Sequence, residues 1–223
     1  MIIDHNFLPY RQLWQGSMNK HNGAFCYSKE IVKNIIPNVK TYRNWITVNV
    51  PPHGCDYAVV FIHNNLNPAE RYAWLQQYKD LVLVCGVPET VEKVAHIGKA
   101  IYLPLSVDVE YLKKFRAKKT KSAAFVGRPI KKFYEGVKLP DGIDYLEDLP
   151  RKEMLKEMAK YKTIYAVGRC AIEAKVLGCE VLPYDPRYPD TNRWQVLDNH
   201  EAAIMLQKEL DKIDYDIRKE QYE

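Results

Sequence analysis

Two runs in the second half of the chain carry charged side chains at spacings that could serve a phosphate-bearing ligand. In the first, Phe125-Val126-Gly127-Arg128 is followed by Lys131 and Lys132. Glycine lets the backbone approach a ligand closely, arginine offers a planar fork to phosphate oxygens, and lysine adds a mobile point charge. The combination suits a pyrophosphate, but it also occurs wherever a strand ends in a polar turn. In the second run Gly168-Arg169 precedes Glu173 by about one helical turn. A helix opened by Gly168 would present unpaired N–H groups and partial positive charge, to which Arg169 adds a full charge. Glu173 could accept bonds from a ribose diol or simply complement the helix dipole. In the first half, His63 follows an apolar run and His21 precedes Asn22-Gly23. An imidazole at a strand end can bond a sugar hydroxyl or move a proton, although a lone histidine in a turn is more often an ordinary polar residue.

Short apolar runs alternate with amphipathic stretches, the pattern of βαβ units and a parallel sheet. Strands are expected over 1–3, 46–50, 57–62, 81–85 and 100–103, and helices over 24–36, 68–78 and 89–97. A second series follows, with strands over 122–126, 145–146, 163–167 and 180–183 and helices over 151–160 and 172–177. Gly178 closes the last of these helices. Gly127 and Gly168 then fall at carboxyl ends of strands, where ligands of open sheets gather. The stretch 200–222 reads as an amphipathic helix with Ala203, Leu206, Leu210, Ile213 and Ile217 on one stripe, covering the core. Its Asp214-Tyr215-Asp216 reads as a solvated face, and no metal site is expected.

The composition, 47% hydrophobic and 27% charged, is ordinary for a soluble globular chain of 223 residues. No run approaches the ~18 apolar residues of a membrane span. The opening MIIDHNFLPY has an acid and no basic segment, unlike a signal peptide. Cys26, Cys55, Cys85, Cys170 and Cys179 are odd in number and lack CxxC spacing, so reduced thiols in a cytoplasmic protein are expected. The net charge of +5 is unevenly placed: Lys113, Lys114, Arg116, Lys118, Lys119 and Lys121 form one block. Such a block is a solvated linker or a positive surface for a phosphate-bearing partner. It separates the two series of elements, which puts a domain boundary at 118/119.

The stretch 122–182 resembles the nucleotide-binding domain of GT-B glycosyltransferases. In that family a strand ends in Val-Gly-Arg with a lysine soon after, as Val126-Gly127-Arg128 and Lys131 or Lys132 do here. A glycine, then Glu-Ala, then Gly-x-x-Val before a buried strand are matched by Gly168, Glu173-Ala174 and Gly178-Cys179-Glu180-Val181. In the first half, His21-Asn22-Gly23-Ala24 sits where the family has a glycine-rich loop. Phe61-Ile62-His63 looks like its strand-end histidine, and Pro104-Leu105-Ser106-Val107-Asp108 like its segment before the interdomain linker. Two departures stand out. The family often carries a second glutamate eight residues before the Glu173 position, where this chain has Tyr165, and the first domain is short.

The resemblance implies two Rossmann-like domains, 1–118 and 119–223, whose parallel sheets face a cleft. It implies a glycosyltransferase acting on a nucleotide-sugar donor such as a UDP-sugar, with no cofactor and no metal. Arg128, Lys131, Lys132, Gly168 and Arg169 would hold the donor diphosphate and Glu173 its ribose. His63 would contact the sugar or act in catalysis, and the His21–Gly23 loop would serve sugar or acceptor. An inverting path would need a base, for which Asp56, His21 and His63 are all conceivable. Nucleic acid, for instance a modified base in DNA, is one acceptor that the basic excess favours. The rival reading is a non-catalytic GT-B-like protein that binds a nucleotide, to which the absent glutamate lends weight. Neither G-x-G-x-x-G nor a P-loop is present, which disfavours NAD and ATP.

Overall fold

A computed structural model describes residues 2–4, 31, 58–63, 81–127 and 136–222. The described residues form an α/β structure with two four-stranded sheets, parallel throughout. The chain divides into two compact units, Met1–Leu105 with Asn199–Glu223, and Ser106–Asp198. The helices expected over 24–36 and 68–78 and the strand over 46–50 lie outside the described residues, Ile31 excepted.

In the first unit, β1 (Ile2–Asp4), β2 (Ala58–His63), β3 (Leu81–Cys85) and β4 (Lys99–Tyr102) lie side by side in chain order. Val82, Leu83, Val84 and Cys85 are all buried, as a strand covered on both faces requires. The register shifts between Phe61 and His63, and His63 pairs with Cys85 at the carboxyl end of the sheet. Helix α1 (Pro88–Val94) starts with its proline at the first helical position, where the missing N–H costs nothing.

The second unit opens with α2 (Val109–Lys113), whose N-cap Asp108 accepts a hydrogen bond from the Tyr111 N–H at 2.8 Å. Then come β5 (Lys121–Val126), β6 (Asp144–Leu146), α3 (Arg151–Met158), β7 (Tyr161–Tyr165), α4 (Arg169–Val176) and β8 (Glu180–Leu182). The strand order is β6-β5-β7-β8. The chain therefore steps from β5 to one side, then crosses back over β5 to β7 and continues to β8. Both later crossovers run in the same direction, and right-handed connection puts α3 and α4 on one face of the sheet.

The expected strand over 163–167 sits two residues earlier. Pairing with β5 begins at Lys121–Tyr161, and Tyr161 is buried while Lys162 is exposed. Ala166 and Val167 are buried too, but they belong to the connection into α4, so their apolar character misplaced the strand. Helix α4 starts at Arg169, directly after Gly168, rather than at 172. It ends as Gly178 suggested: Gly178 has φ +78°, its N–H donates to Lys175 O at 3.0 Å and the Cys179 N–H donates to Ala174 O at 2.9 Å. These two bonds make a Schellman motif.

Three cations of the basic block are engaged by hydrogen bonds within the second unit. The Lys119 Nζ donates to Ala159 O and Leu177 O, both at 2.9 Å, and lies 3.1 Å from the Cys179 Sγ. Ala159 and Leu177 are the C-caps of α3 and α4, so one ammonium serves the orphan carbonyls and negative dipole ends of two helices. The Arg116 Nε donates to Val176 O at 2.7 Å. Lys121 donates to the Tyr161 hydroxyl at 3.0 Å and pairs with Glu157 at 3.5 Å. Arg116 and Lys121 stay as exposed as Lys114 and Lys118, yet each is bonded within the second unit, and Lys119 is half-buried.

Helix α5 (Asn199–Tyr222) buries Ala202, Ala203, Leu206, Leu210 and Ile213, so its apolar stripe does cover a core. Asp216 is exposed and pairs with Lys99 at 3.6 Å. Cys85, Cys170 and Cys179 are free thiols. Burial pushes the Cys85 thiol up to about 12 and raises that of Cys179. Among the described residues no helix is long and apolar enough to cross a membrane.

Candidate functional site

Where a parallel sheet reverses its strand order, the loops leaving the two central strands diverge to opposite faces and leave a crevice. In the second unit that place is the carboxyl edge between β5 and β7, whose last pair is Phe125–Tyr165. β5 leaves there through Gly127, after which the chain runs directly into Arg128. β7 leaves through Ala166, Val167 and Gly168 into the N-terminus of α4.

Gly168 has φ +63° and ψ −137°, a region that side-chain-bearing residues avoid. Glycine there lets the chain turn from strand to helix with no N-cap side chain over the helix end. The first turn of α4 consequently opens at this edge with no side-chain cap. Gly127 answers a different need. A Cβ at Gly127 would fall 2.8 Å from the Phe125 Cζ, and the fully buried Phe125 ring is wedged against Tyr145 (5.8 Å) and Tyr184 (5.0 Å).

Glu173 is buried on the first half of α4, at 3% exposure. Its Oε1 accepts from the Arg151 Nη2 at 2.7 Å and lies 3.3 Å from the Arg169 Nε. Arg151 is the first residue of α3, which right-handed crossover places beside α4. Two guanidinium groups converge on one oxygen and hold the buried carboxylate in place. Among the described residues no hydrogen bond reaches the other oxygen, Oε2, so that atom can accept from a ligand hydroxyl.

After β8 the chain brings Tyr184 and Asp185 to the same edge, both buried. The Tyr184 ring packs edge-on against Phe125, and burial, with Cys170 of α4 adding to it, raises its hydroxyl well above the usual range. Among the described residues that hydroxyl has no hydrogen-bond partner, a costly arrangement that a bound polar group would relieve. Asp185 accepts from the Arg187 Nε at 2.8 Å and Nη2 at 2.6 Å.

No model of a known protein family matches the chain, and no curated protein does.

Of the residues singled out in the sequence, Gly168, Arg169 and Glu173 come together at the crevice of the second unit, and Gly127 lies on the neighbouring strand end. Tyr165 closes β7 at the same edge. His63 ends β2 in the first unit. Arg128, Lys131, Lys132, His21, Gly23, Asp56, Cys26 and Cys55 lie outside the described residues. Arg151 and Tyr184 were not singled out in the sequence. Arg151 stands 22 residues from its partner in an ordinary charged helix, and nothing local marks it. Tyr184 carried one faint signal, a large aromatic two residues beyond a strand end.

Proposed function

We propose that the second unit binds a nucleoside-diphosphate sugar at the β5/β7 crevice and that the protein transfers the sugar to an acceptor, as a compact GT-B glycosyltransferase with a second Rossmann-like domain. The observation that carries this reading is the opening of α4 by Gly168 at the point where the strand order reverses, with Glu173 inside the same helix. The α4 N-terminus, which has no side-chain cap, suits the diphosphate, since the helix dipole there favours negative charge. Glu173, anchored through Oε1, offers Oε2 to a ribose hydroxyl. Arg128 and Lys131 or Lys132 follow Gly127 in the chain and are assigned to the phosphates. There they would stabilise the charge that develops on the departing nucleoside diphosphate without a metal ion. His63, at a strand end of the first unit, is assigned to the sugar or to proton transfer.

One specific observation favours a second reading, a nucleotide-binding protein without transferase activity. Tyr165 stands at the end of β7 where the family often has a sugar-facing glutamate.

Thermal unfolding against UDP-, GDP- and ADP-sugars, with NAD and ATP as controls, tests both. A donor at about 100 times its Kd should stabilise the protein by ~2.7 kcal/mol, or roughly 5–10 °C for a chain of this size. Arg128→Ala and Glu173→Gln should each abolish that shift. Hydrolysis or transfer of the bound sugar then separates transferase from binder. A shift with ATP or NAD alone, or unchanged donor binding by both variants, overturns the site.

A further inference from the structure

A second feature of the Ser106–Asp198 unit lies apart from the β5/β7 crevice and does not depend on the donor reading. Arg116 and Lys119 are committed to helix carbonyls, yet Lys114 of the same block stays exposed. It lies on a groove of about 680 Å³ between the α2 segment and α3, lined also by Lys152, Lys156 and Lys160. Lys152 and Lys156 stand four residues apart on α3, about 6 Å along its axis, and Lys160 follows just beyond its end. Glu157 is the one acid lining the groove among the described residues, and Lys160 and Lys121 already pair with it. The other wall is aromatic: Tyr111, 38% exposed, and Phe115 meet edge to face at 5.1 Å.

We infer that this groove docks single-stranded nucleic acid. A row of lysines spaced like successive phosphates neutralises the backbone, and an exposed aromatic wall gives an unpaired base a face to stack on. A lipid surface would meet the lysines but cannot enter a concave groove, and an acidic peptide would leave the aromatic wall unused. Nucleic acid is the polyanion that uses both walls at once. Docking here would bring the strand to the same unit that carries the donor crevice.

The test is fluorescence anisotropy of a labelled single-stranded DNA of roughly 12 nucleotides, with the full chain and no sugar nucleotide present. Three free lysines, at ~0.7 per phosphate, predict a slope of log K against log salt near −2, or about a 20-fold loss between about 50 and 200 mM salt. Lys152→Glu with Lys156→Glu should weaken binding at least about tenfold and reduce the slope by ~1.4. Lys208→Glu with Lys212→Glu on α5 removes equal charge elsewhere and should bind nearly as the parent does. Tyr111→Ala should weaken binding at an unchanged slope, which a purely electrostatic patch would not show. Unfolding curves of each variant check that it is folded. No binding at low salt, equal losses in the two charge-reversal pairs, an inert Tyr111→Ala, or retention on phosphatidylserine vesicles without oligonucleotide binding would each overturn the inference.

Discussion

Lys118 and Lys119 are neighbours in one basic run, and only the structure distinguishes them. Replacing Lys119 by methionine keeps the stem and removes an ammonium that donates to Ala159 O and Leu177 O at 2.9 Å each. A hydrogen bond to a charged group contributes ~1.5–3 kcal/mol, and a cation at a helix C-terminus adds ~0.3–1 kcal/mol. The site is partly exposed, so water recovers some of what each carbonyl loses, and we expect a net cost of about 2–3 kcal/mol. Lys118→Met, at an exposed position, should fall within ~0.5 kcal/mol of the parent. Urea unfolding followed by circular dichroism reads both. The midpoint should fall for Lys119→Met alone, with the slope m unchanged. Equal midpoints for the two variants would refute the argument that this block is partly a capping device and return it to a plain solvated linker.

Three further outcomes are expected. Gly168→Ala should destabilise by ~1–3 kcal/mol in urea unfolding, because alanine must adopt φ +63°, ψ −137° or shift the start of α4. Gly178→Ala, where an added Cβ meets nothing, should cost only the conformational part, ~1–2 kcal/mol. The Cys85 thiol, pushed up to about 12 by burial, stays protonated in the folded state well above its unfolded value of ~8.5. Its contribution is therefore fully present below about pH 8.5 and is lost as pH climbs towards 12, at about 1.4 kcal/mol per pH unit. Unfolding curves across pH 9–11 should fall more steeply for the parent than for Cys85→Val, and parallel slopes would show that the thiol does not titrate in this way.

The parallel sheets, the helix closed by Gly178 and the stripe of α5 were legible because each rests on a local signal: apolar runs of strand length, a glycine after a periodic segment, spacings of three and four. Gly168 and Glu173 were legible as a pair for the same reason, since six residues of one strand-turn-helix contain them. The end of β7 was not, because Ala166 and Val167 are as apolar as the strand itself and burial in a connection leaves no mark in periodicity. Arg151 was hidden by its distance from Glu173 along the chain, and the roles of Arg116 and Lys119 by the uniformity of the run around them. What a lysine does depends on which carbonyls the fold brings near, and a charge count carries no trace of that.

The bond network of α3 and α4 has a mechanical meaning. At the amino edge of the sheet Lys119 ties their C-termini together, and at the carboxyl edge Arg151 and Glu173 tie their opening turns. Two rods joined at both ends cannot slide past one another. The 2.7 Å contact at the crevice is thus held partly by an ammonium a full helix length away. Damage at Lys119 should be felt as a loosened Glu173, and a ligand gripping Glu173 should in turn stiffen the far edge of the sheet.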